Sequence, residues 1–133
     1  MTSAASGPPG AKPFRMTEQA YLILLSLTPE PLHGYAVIQA VAELSDGATA
    51  LGAGTLYGNL DRLSGAGLVE PSGEEVVDGR LRRYYRITDD GRRVAEQETA
   101  RLRELAARAQ KALDRRGTAA RPTSGRRLAG GLA

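Results

Sequence analysis

The fold is decided by residues 52–67, which read GAGTLYGNLDRLSGAG. Leu56, Leu60 and Leu63 recur at i, i+4 and i+7, the spacing that places side chains on one buried face of an α-helix. Glycines flank the segment on both sides, so a helix is predicted over about 53–64. Its opposite face is small and polar, with one arginine, and would let a partner approach closely. That face consists of Thr55, Gly58 or Asn59, and Arg62.

Two further helices are predicted before this one. Thr17 can cap the first, whose apolar block covers residues 21–27, and Pro29 ends it. The block is apolar nearly all round, so this helix should be buried on more than one side. The second helix begins near Gly34 and ends at Asp46-Gly47.

After the third helix the hydrophobic period changes from helical to alternating. Residues 68–70 are predicted to form a short strand, 71–79 a turn-rich loop, and 81–87 a strand that pairs back on the first. Thr88 can cap a long terminal helix over about 90–113. The residue pattern of this segment is helical throughout, with Gly91 as the exception. The fold class is therefore mainly α with a small β-hairpin wing. This is the element order of a winged helix-turn-helix followed by a long C-terminal helix.

The chain is predicted to divide into four segments. Residues 1–15 and 115–133 are rich in Gly, Ala, Pro or Arg and are expected to be a flexible N-terminal segment and a flexible tail. Residues 16–88 form the winged helix-turn-helix domain, and 89–114 form a C-terminal dimerisation helix.

The distribution of charge points to an anionic polymer as partner. The net charge is only +3, but residues 1–78 carry 3 basic and 9 acidic side chains, whereas residues 79–133 carry 15 basic and 6 acidic ones. Sixteen of the 18 basic residues are arginine, which makes planar contacts with phosphates and base edges. Part of the asymmetry is also explained by a solvated basic tail.

Several classes of function are disfavoured by the composition. The 133 residues contain no cysteine and one histidine, so no nucleophile-base set, no thiolate zinc site and no site with two imidazoles can be assembled, and no phosphate-binding glycine loop is present. We expect neither an enzyme nor a cofactor or metal, and interpret His33 as a residue at the start of the second helix. The longest apolar run has six residues, against about 20 for a membrane span. With no secretion segment, a cytoplasmic protein without membrane contact is expected.

Five sequence blocks match the PadR family of bacterial transcriptional regulators in order and spacing. The match covers about residues 16–95. The blocks are Leu32-His33-Gly34-Tyr35, Gly54-Thr55-Leu56-Tyr57, Leu60-Asp61-Arg62-Leu63, Gly67-Leu68-Val69 and Arg83-Tyr84-Tyr85-Arg86-Ile87-Thr88. The chain resembles the branch with a short C-terminal region. It departs from the pattern at Ala53, where a proline often stands, and in lacking the tryptophan with which some members clasp planar drugs.

The resemblance implies a homodimeric, repressor-like protein whose dimer is made by the first and last helices. Residues expected at that interface are Tyr21 and Leu24 in the first helix and Leu102, Leu105, Ala109 and Leu113 in the last. The last four also lie close to an a/d seam, for which a partner helix is the natural cover. The alternative is that this helix packs on its own domain.

The third helix and the wing supply the candidate DNA contacts. Thr55 and Tyr57 can offer hydroxyls to phosphates, Asn59 can pair with an adenine edge, and Arg62 should reach a phosphate. Gly58 allows close approach, although it can instead serve helix packing, and Tyr57 can equally be a core aromatic.

On the wing, alternation separates an outer face from a core-facing set. The core-facing set is Leu81, Arg83, Tyr85 and Ile87. Arg80 and Arg82 on the outer face are the preferred DNA contacts, and Arg83 follows because strand twist near the tip can turn it outward. Glu74, Glu75 and Asp78 make an acidic tip that DNA would repel. A merely solvated strand face is the alternative.

The sequence thus predicts a dimeric, sequence-specific regulator of transcription, a repressor that binds double-stranded DNA at an inverted repeat. Half-sites would lie about 34 Å apart. A small-molecule effector, if there is one, would bind at the dimer interface. The alternative function is a winged-helix module for protein–protein assembly without specific DNA binding.

Overall fold

The computed structural model describes residues 14–119, with side chains described over 14–115. The flexible segments expected at the two ends lie mostly outside these residues. Seven elements follow one another along the chain. They are α1 (Glu18–Ser26), β1 (Leu32–His33), α2 (Gly34–Leu44), α3 (Ala53–Gly65), β2 (Val69–Val77), β3 (Arg80–Ile87) and α4 (Asp89–Ala119).

The first three helices enclose a core of aliphatic side chains. Thr17 caps α1 as predicted, because its hydroxyl accepts a 3.1 Å hydrogen bond from the amide of Ala20. Leu22, Ile23 and Leu24 are all buried, although consecutive residues point in three directions around a helix. The prediction that α1 is buried on more than one side is therefore confirmed.

The burial of α1 overturns one predicted dimer contact. Leu24 is fully buried within the single chain, in the same cluster as residues of α2 and α3. It has no surface left for a second protomer, so the prediction that it lies at the dimer interface is wrong. Tyr21, predicted beside it, keeps part of its surface.

The wing is longer than predicted. The sequence predicts a loop over 71–79, but β2 continues to Val77 and only Asp78-Gly79 turns. Both turn residues have positive φ, 52° and 75°, the conformation that a two-residue Asp-Gly hairpin turn requires. A register shift between Pro71 and Gly73 absorbs the two strand-breaking residues, on a strand at the edge of the sheet.

The sheet has a third strand that the sequence period does not reveal. Its order is β1-β3-β2, and the two residues of β1 pair antiparallel with β3, Leu32 with Tyr85 and His33 with Tyr84. His33 makes no side-chain cap bond at the start of α2; its ring lies edge-on to Tyr84, with 5.5 Å between centroids. The base of the wing is thereby joined to the start of α2.

The start of α4 is anchored to the end of α3. The Thr88 hydroxyl donates to the carbonyl of Gly67 at 2.7 Å and accepts from the amide of Gly91 at 2.9 Å, so Thr88 caps the helix as predicted. Gly91 is buried against the chain at Leu68. The helix continues to Ala119, the last residue that the structure describes, and so passes the predicted limit of 114.

The chain consists of two compact units. The first ends at Gln97 and contains the three-helix core, the sheet and the beginning of α4. The second starts at Glu98, and its described part, residues 98–119, is the remainder of α4.

Candidate nucleic-acid interface

The exposed face of α3 carries short side chains, and its first turn has no charged residue. Gly54 and Thr55 are exposed, and Gly58 one turn later is partly exposed. No atom of a neighbouring element lies within 4 Å of the position that a Cβ on Gly54 would occupy. A helix that enters the major groove needs such a surface, because bulky side chains would hold its backbone away from the base edges.

Asn59 does not belong to that face. Its side chain is 2% exposed, and the predicted contact with an adenine edge is therefore wrong. The residue lies three positions after Leu56 and four before Leu63, which places it on the buried side of α3. Its carboxamide is satisfied by hydrogen bonds within the protein.

Tyr57 stands at the border between α3 and α2. A Cβ on Gly34 would lie 2.5 Å from the Tyr57 hydroxyl oxygen, so the phenol rests directly on the first residue of α2. The side chain nevertheless remains 46% exposed. Tyr57 is thus a surface residue supported by α2 and not a core aromatic. Gly34 is the glycine that permits the close approach, and Gly58 has no helix packed against it at comparable distance.

The acidic residues of the wing face arginines across the hairpin. Glu70 accepts from Arg86 at 2.6 Å, Glu74 lies 3.5 Å from Arg83, and the Tyr84 hydroxyl donates to Glu75 at 2.5 Å. The hydrogen bond to Glu75 is the main cause that raises the pKa of Tyr84. The carboxylates of Glu70 and Glu74 are partly neutralised by arginines, whereas Glu75 accepts from a neutral phenol. Glu75 and Asp78 therefore remain the acidic part of the tip inferred from the sequence.

Arg80 and Arg82 differ from the other arginines of β3. Both are exposed, and within the described residues neither forms an ion pair with a carboxylate. Arg83 is exposed as well, but it shares its charge with Glu74. The order of the three as DNA contacts, with Arg83 last, stays a prediction.

The core-facing set of β3 is buried only near the base of the wing. Tyr85 and Ile87 pack against the hydrophobic core, and burial is the main cause that raises the pKa of Tyr85. Leu81, predicted to face the core with them, is exposed near the tip beside Val76. The hairpin simply extends beyond the helices that would cover it.

A cleft of about 580 Å³ separates the outer part of the wing from the helices. It brings together Tyr57 of α3 with Arg80 and Arg82 of the wing, which the sequence places on different elements. Its lining residues are His33, Gly34, Tyr35, Tyr57, Val77, Asp78, Arg80, Leu81, Arg82 and Arg83. Tyr35 is an exposed hydroxyl in this lining that the candidate set from sequence missed, although it stands in the quoted Leu32–Tyr35 block.

The second unit presents a stripe of apolar residues on α4. Leu102, Leu105 and Leu113 are exposed, Leu113 by 65%, and Ala109 is exposed between them. Ion pairs Glu98–Arg101 and Glu104–Arg108 accompany the stripe. The Arg101 guanidinium, through its hydrogen bonds, lowers the pKa of Glu98. Among residues 98–115, whose side chains the structure describes, no side chain buries the stripe.

Other kinds of site were sought over the described residues. Residues 14–119 contain no group of three or more acidic, histidine or cysteine side chains that could hold a metal ion. No helix in the same part of the chain combines the length and apolarity needed to cross a bilayer.

The fold and the α3 face define a winged helix-turn-helix protein. Residues 23–97 match the family model described as transcriptional regulator PadR-like family, which is more than half of the chain. The protein belongs to this family of transcriptional regulators, and the resemblance seen in the sequence is confirmed.

Three known proteins illustrate the relationship. The chain is 40% identical over 84 residues to a transcriptional regulator of Mycobacterium tuberculosis, covering 63% of this chain and 75% of the relative. It is 37% identical over 94 residues (71% of this chain) to an uncharacterised 37.1 kDa protein in a transposon of Streptomyces fradiae, and spans only 26% of that relative. A crystal structure of Bacillus subtilis PadR in complex with operator DNA shares the fold, with a TM-score of 0.54, 20% identity and coverage of 60% and 45% of the two chains.

Proposed function

We propose that the protein is a homodimeric repressor that recognises an inverted-repeat operator in double-stranded DNA. The observation that carries the proposal is the cleft, because it brings Tyr57 of α3 together with Arg80 and Arg82 of the wing, two exposed arginines that form no ion pair within the described residues. Each protomer would insert α3 into a major groove and set the wing against the adjoining backbone or minor groove. The relative from Bacillus subtilis, bound to operator DNA, supports this reading.

The proposed contacts follow the sequence prediction with one removal. On α3 they are Thr55, Tyr57, Gly58 and Arg62, and on the wing Arg80, Arg82 and Arg83. Asn59 is removed because it is buried. Small side chains at the start of α3 allow the backbone to approach the bases, while hydroxyls and guanidinium groups bind phosphates and fix the register.

The homodimer in this proposal uses the apolar stripe of α4. Leucines at positions 102, 105 and 113 follow the spacing of a two-helix seam, and charged residues flank it. An identical chain is the simplest partner for such a stripe, since two-fold assembly places the same surface on both sides. Tyr21 remains a proposed contributor, and an effector bound between protomers would release DNA by changing the angle between their heads.

Selection from a random duplex library, followed by titration at two salt concentrations, tests this function. Enrichment of an inverted repeat that binds far more tightly than scrambled DNA is expected. Binding without enrichment, lost steeply as salt rises, would show phosphate attraction alone and favour a protein-assembly module.

Replacement of Arg82 by Ala tests the assignment of the wing. We expect binding to weaken by about tenfold on selected and scrambled duplexes alike, because a phosphate contact carries no sequence information. A dimer has two copies of Arg82, so the slope of log affinity against log salt should become shallower by about 1.8. The two quantities are measured by titration across a salt series.

The matched control is Arg82→Lys, which retains the charge and should retain the salt slope. A second control, Glu70→Gln combined with Arg86→Gln, removes a neutral pair from the same strand and should change affinity little. An Arg82→Ala protein with the salt slope of the parent would show that the wing meets DNA elsewhere.

A further inference from the structure

Asn59 is an unusual residue for its position in the core. The buried face of α3 is otherwise made of leucines, and only Ser26 is a comparably buried polar residue in the described chain. Ser26 satisfies its hydroxyl locally, by donating to the Ile23 carbonyl of its own helix at 2.6 Å. Asn59 instead forms hydrogen bonds with two other side chains, Gln19 on α1 and Arg62 on α3, so its burial needs a different explanation.

The carboxamide of Asn59 connects three groups. Its Nδ2 donates to the backbone carbonyl of Thr55 at 3.0 Å and to Oε1 of Gln19, on α1, at 3.4 Å. Its Oδ1 accepts from Nη2 of Arg62 at 2.9 Å. A buried amide is costly unless its donors and acceptors are used, and here both ends are used.

The bond to Asn59 holds the head of Arg62 back along α3. Helical side chains lean toward the N-terminus, and the Arg62 guanidinium lies beside the turn that contains Gly58 and Asn59. Its Nη1 is 3.9 Å from the position that a Cβ on Gly58 would take. The charge is therefore presented toward the exposed, small-residue part of the helix and not beyond its C-terminal end.

The neutral partner distinguishes Arg62 from the paired arginines of the wing. Arg83 and Arg86 are held by carboxylates, which orient the guanidinium and also offset its charge. A carboxamide orients the guanidinium without neutralising it. Arg62 also forms no ion pair among the described residues, so it keeps a full positive charge in a fixed position.

We propose that Asn59 is a positioning residue, which holds Arg62 ready to contact a phosphate of the DNA backbone. The inference rests on the proposed function, because it requires α3 to meet DNA. Ordering a long side chain at an interface costs free energy, and a side chain already held in the free protein avoids part of that cost. Gln19 completes the bonding of the amide from α1.

A double-mutant cycle between Asn59→Ala and Arg62→Ala tests the proposal. Affinities are measured for the duplex selected with the parent protein and for a scrambled duplex. Asn59→Ala should weaken both by about three- to tenfold per protomer, the range expected for immobilising one long side chain, and so by about 10- to 100-fold for a dimer that uses two. In the Arg62→Ala background the same substitution should have almost no effect on either affinity.

The matched control is a cycle between Asn59→Ala and Arg82→Ala, in which the two effects should simply multiply. General destabilisation by Asn59→Ala would weaken every background equally, Arg62→Ala included, and would overturn the proposal. It would also be overturned if Arg62→Ala alone left binding unchanged, or if Asn59→Ala altered which bases are preferred. These failures differ from failure of the proposed function, in which the parent itself would select no DNA sequence.

A second variant keeps the test independent of cavity formation. Asn59→Asp has nearly the shape of the parent side chain and retains an acceptor for Arg62, but it supplies a negative charge. It also turns an oxygen toward the Thr55 carbonyl and Gln19 Oε1, so its unfolding free energy is measured beside its affinity. We expect Arg62 to stay in place while the salt slope becomes shallower by about 1.8 per dimer. An Asn59→Asp slope equal to that of the parent would contradict the proposed charge presentation.

Discussion

Leu105→Asp is expected to separate the proposed dimer into monomers and to lower operator affinity by about 10² to 10⁴-fold. In the dimer, binding of one head raises the effective concentration of the second head near its half-site, and a monomer loses this advantage. Leu105 lies in the middle of the α4 stripe and is 47% exposed in the single chain. A carboxylate there would face its own copy across a two-fold seam without a counter-ion.

Molar mass in solution and titration of the selected duplex measure this effect. The fold of the single chain should survive, since the substituted side chain contributes nothing to the buried core. Ala107→Asp is the matched control, because it adds the same charge to an exposed position on the opposite side of α4 and should stay dimeric. A Leu105→Asp protein that remained dimeric would place the interface elsewhere.

Gly91→Ala is expected to destabilise the domain by about 3 kcal/mol, the upper part of the range for overpacking. An added Cβ would lie 2.1 Å from the carbonyl oxygen of Leu68 and 2.8 Å from Cγ1 of Ile87. That carbonyl cannot easily move away, because it accepts a hydrogen bond from the amide of Thr88 at 3.0 Å. Alanine's greater helix propensity, worth about 1 kcal/mol, offsets only part of the clash.

Chemical denaturation of the purified variant measures the loss. Gly54→Ala serves as the control, since Gly54 is also in the first turn of a helix but has no neighbouring atom within 4 Å of its Cβ position. It should be as stable as the parent or slightly more stable. Equal stability of Gly91→Ala and the parent would mean that α4 does not start against Leu68 as described.

The spacing of hydrophobic residues is sufficient to predict where the helices lie, but not which side chains are buried on every face of them. The residues Leu56, Leu60 and Leu63 define α3 almost to its ends, and Thr17 and Thr88 mark the starts of α1 and α4. Asn59 was assigned by its polarity, although its spacing from the leucines is that of a buried residue. Periodicity and residue type disagreed, and the burial of a satisfied amide shows that periodicity was the better guide.

Other differences arise where local sequence carries little information. A helix that is apolar all round does not show which side meets its own domain, so Leu24 was assigned to the wrong surface. Pro71 and Gly73 usually interrupt strands, but a bulge on an edge strand accommodates both. A strand of two residues such as Leu32–His33 has no period at all, and only its pairing with β3 defines it.

In the proposed complex with DNA, the pairing of β1 with β3 would also affect the choice of DNA sequence. Because β3 is hydrogen-bonded to the two residues that precede α2, and Tyr57 of α3 rests on Gly34, the wing and α3 are held at a set separation. A protein with this fixed separation fits only a certain groove width, and a duplex whose groove is wider or narrower must itself deform. Deformation costs depend on base sequence even where no side chain touches a base. Selected operators should therefore show base preferences at the base pairs that lie between the α3 and wing contacts. These preferences would reflect the stiffness and shape of the duplex there.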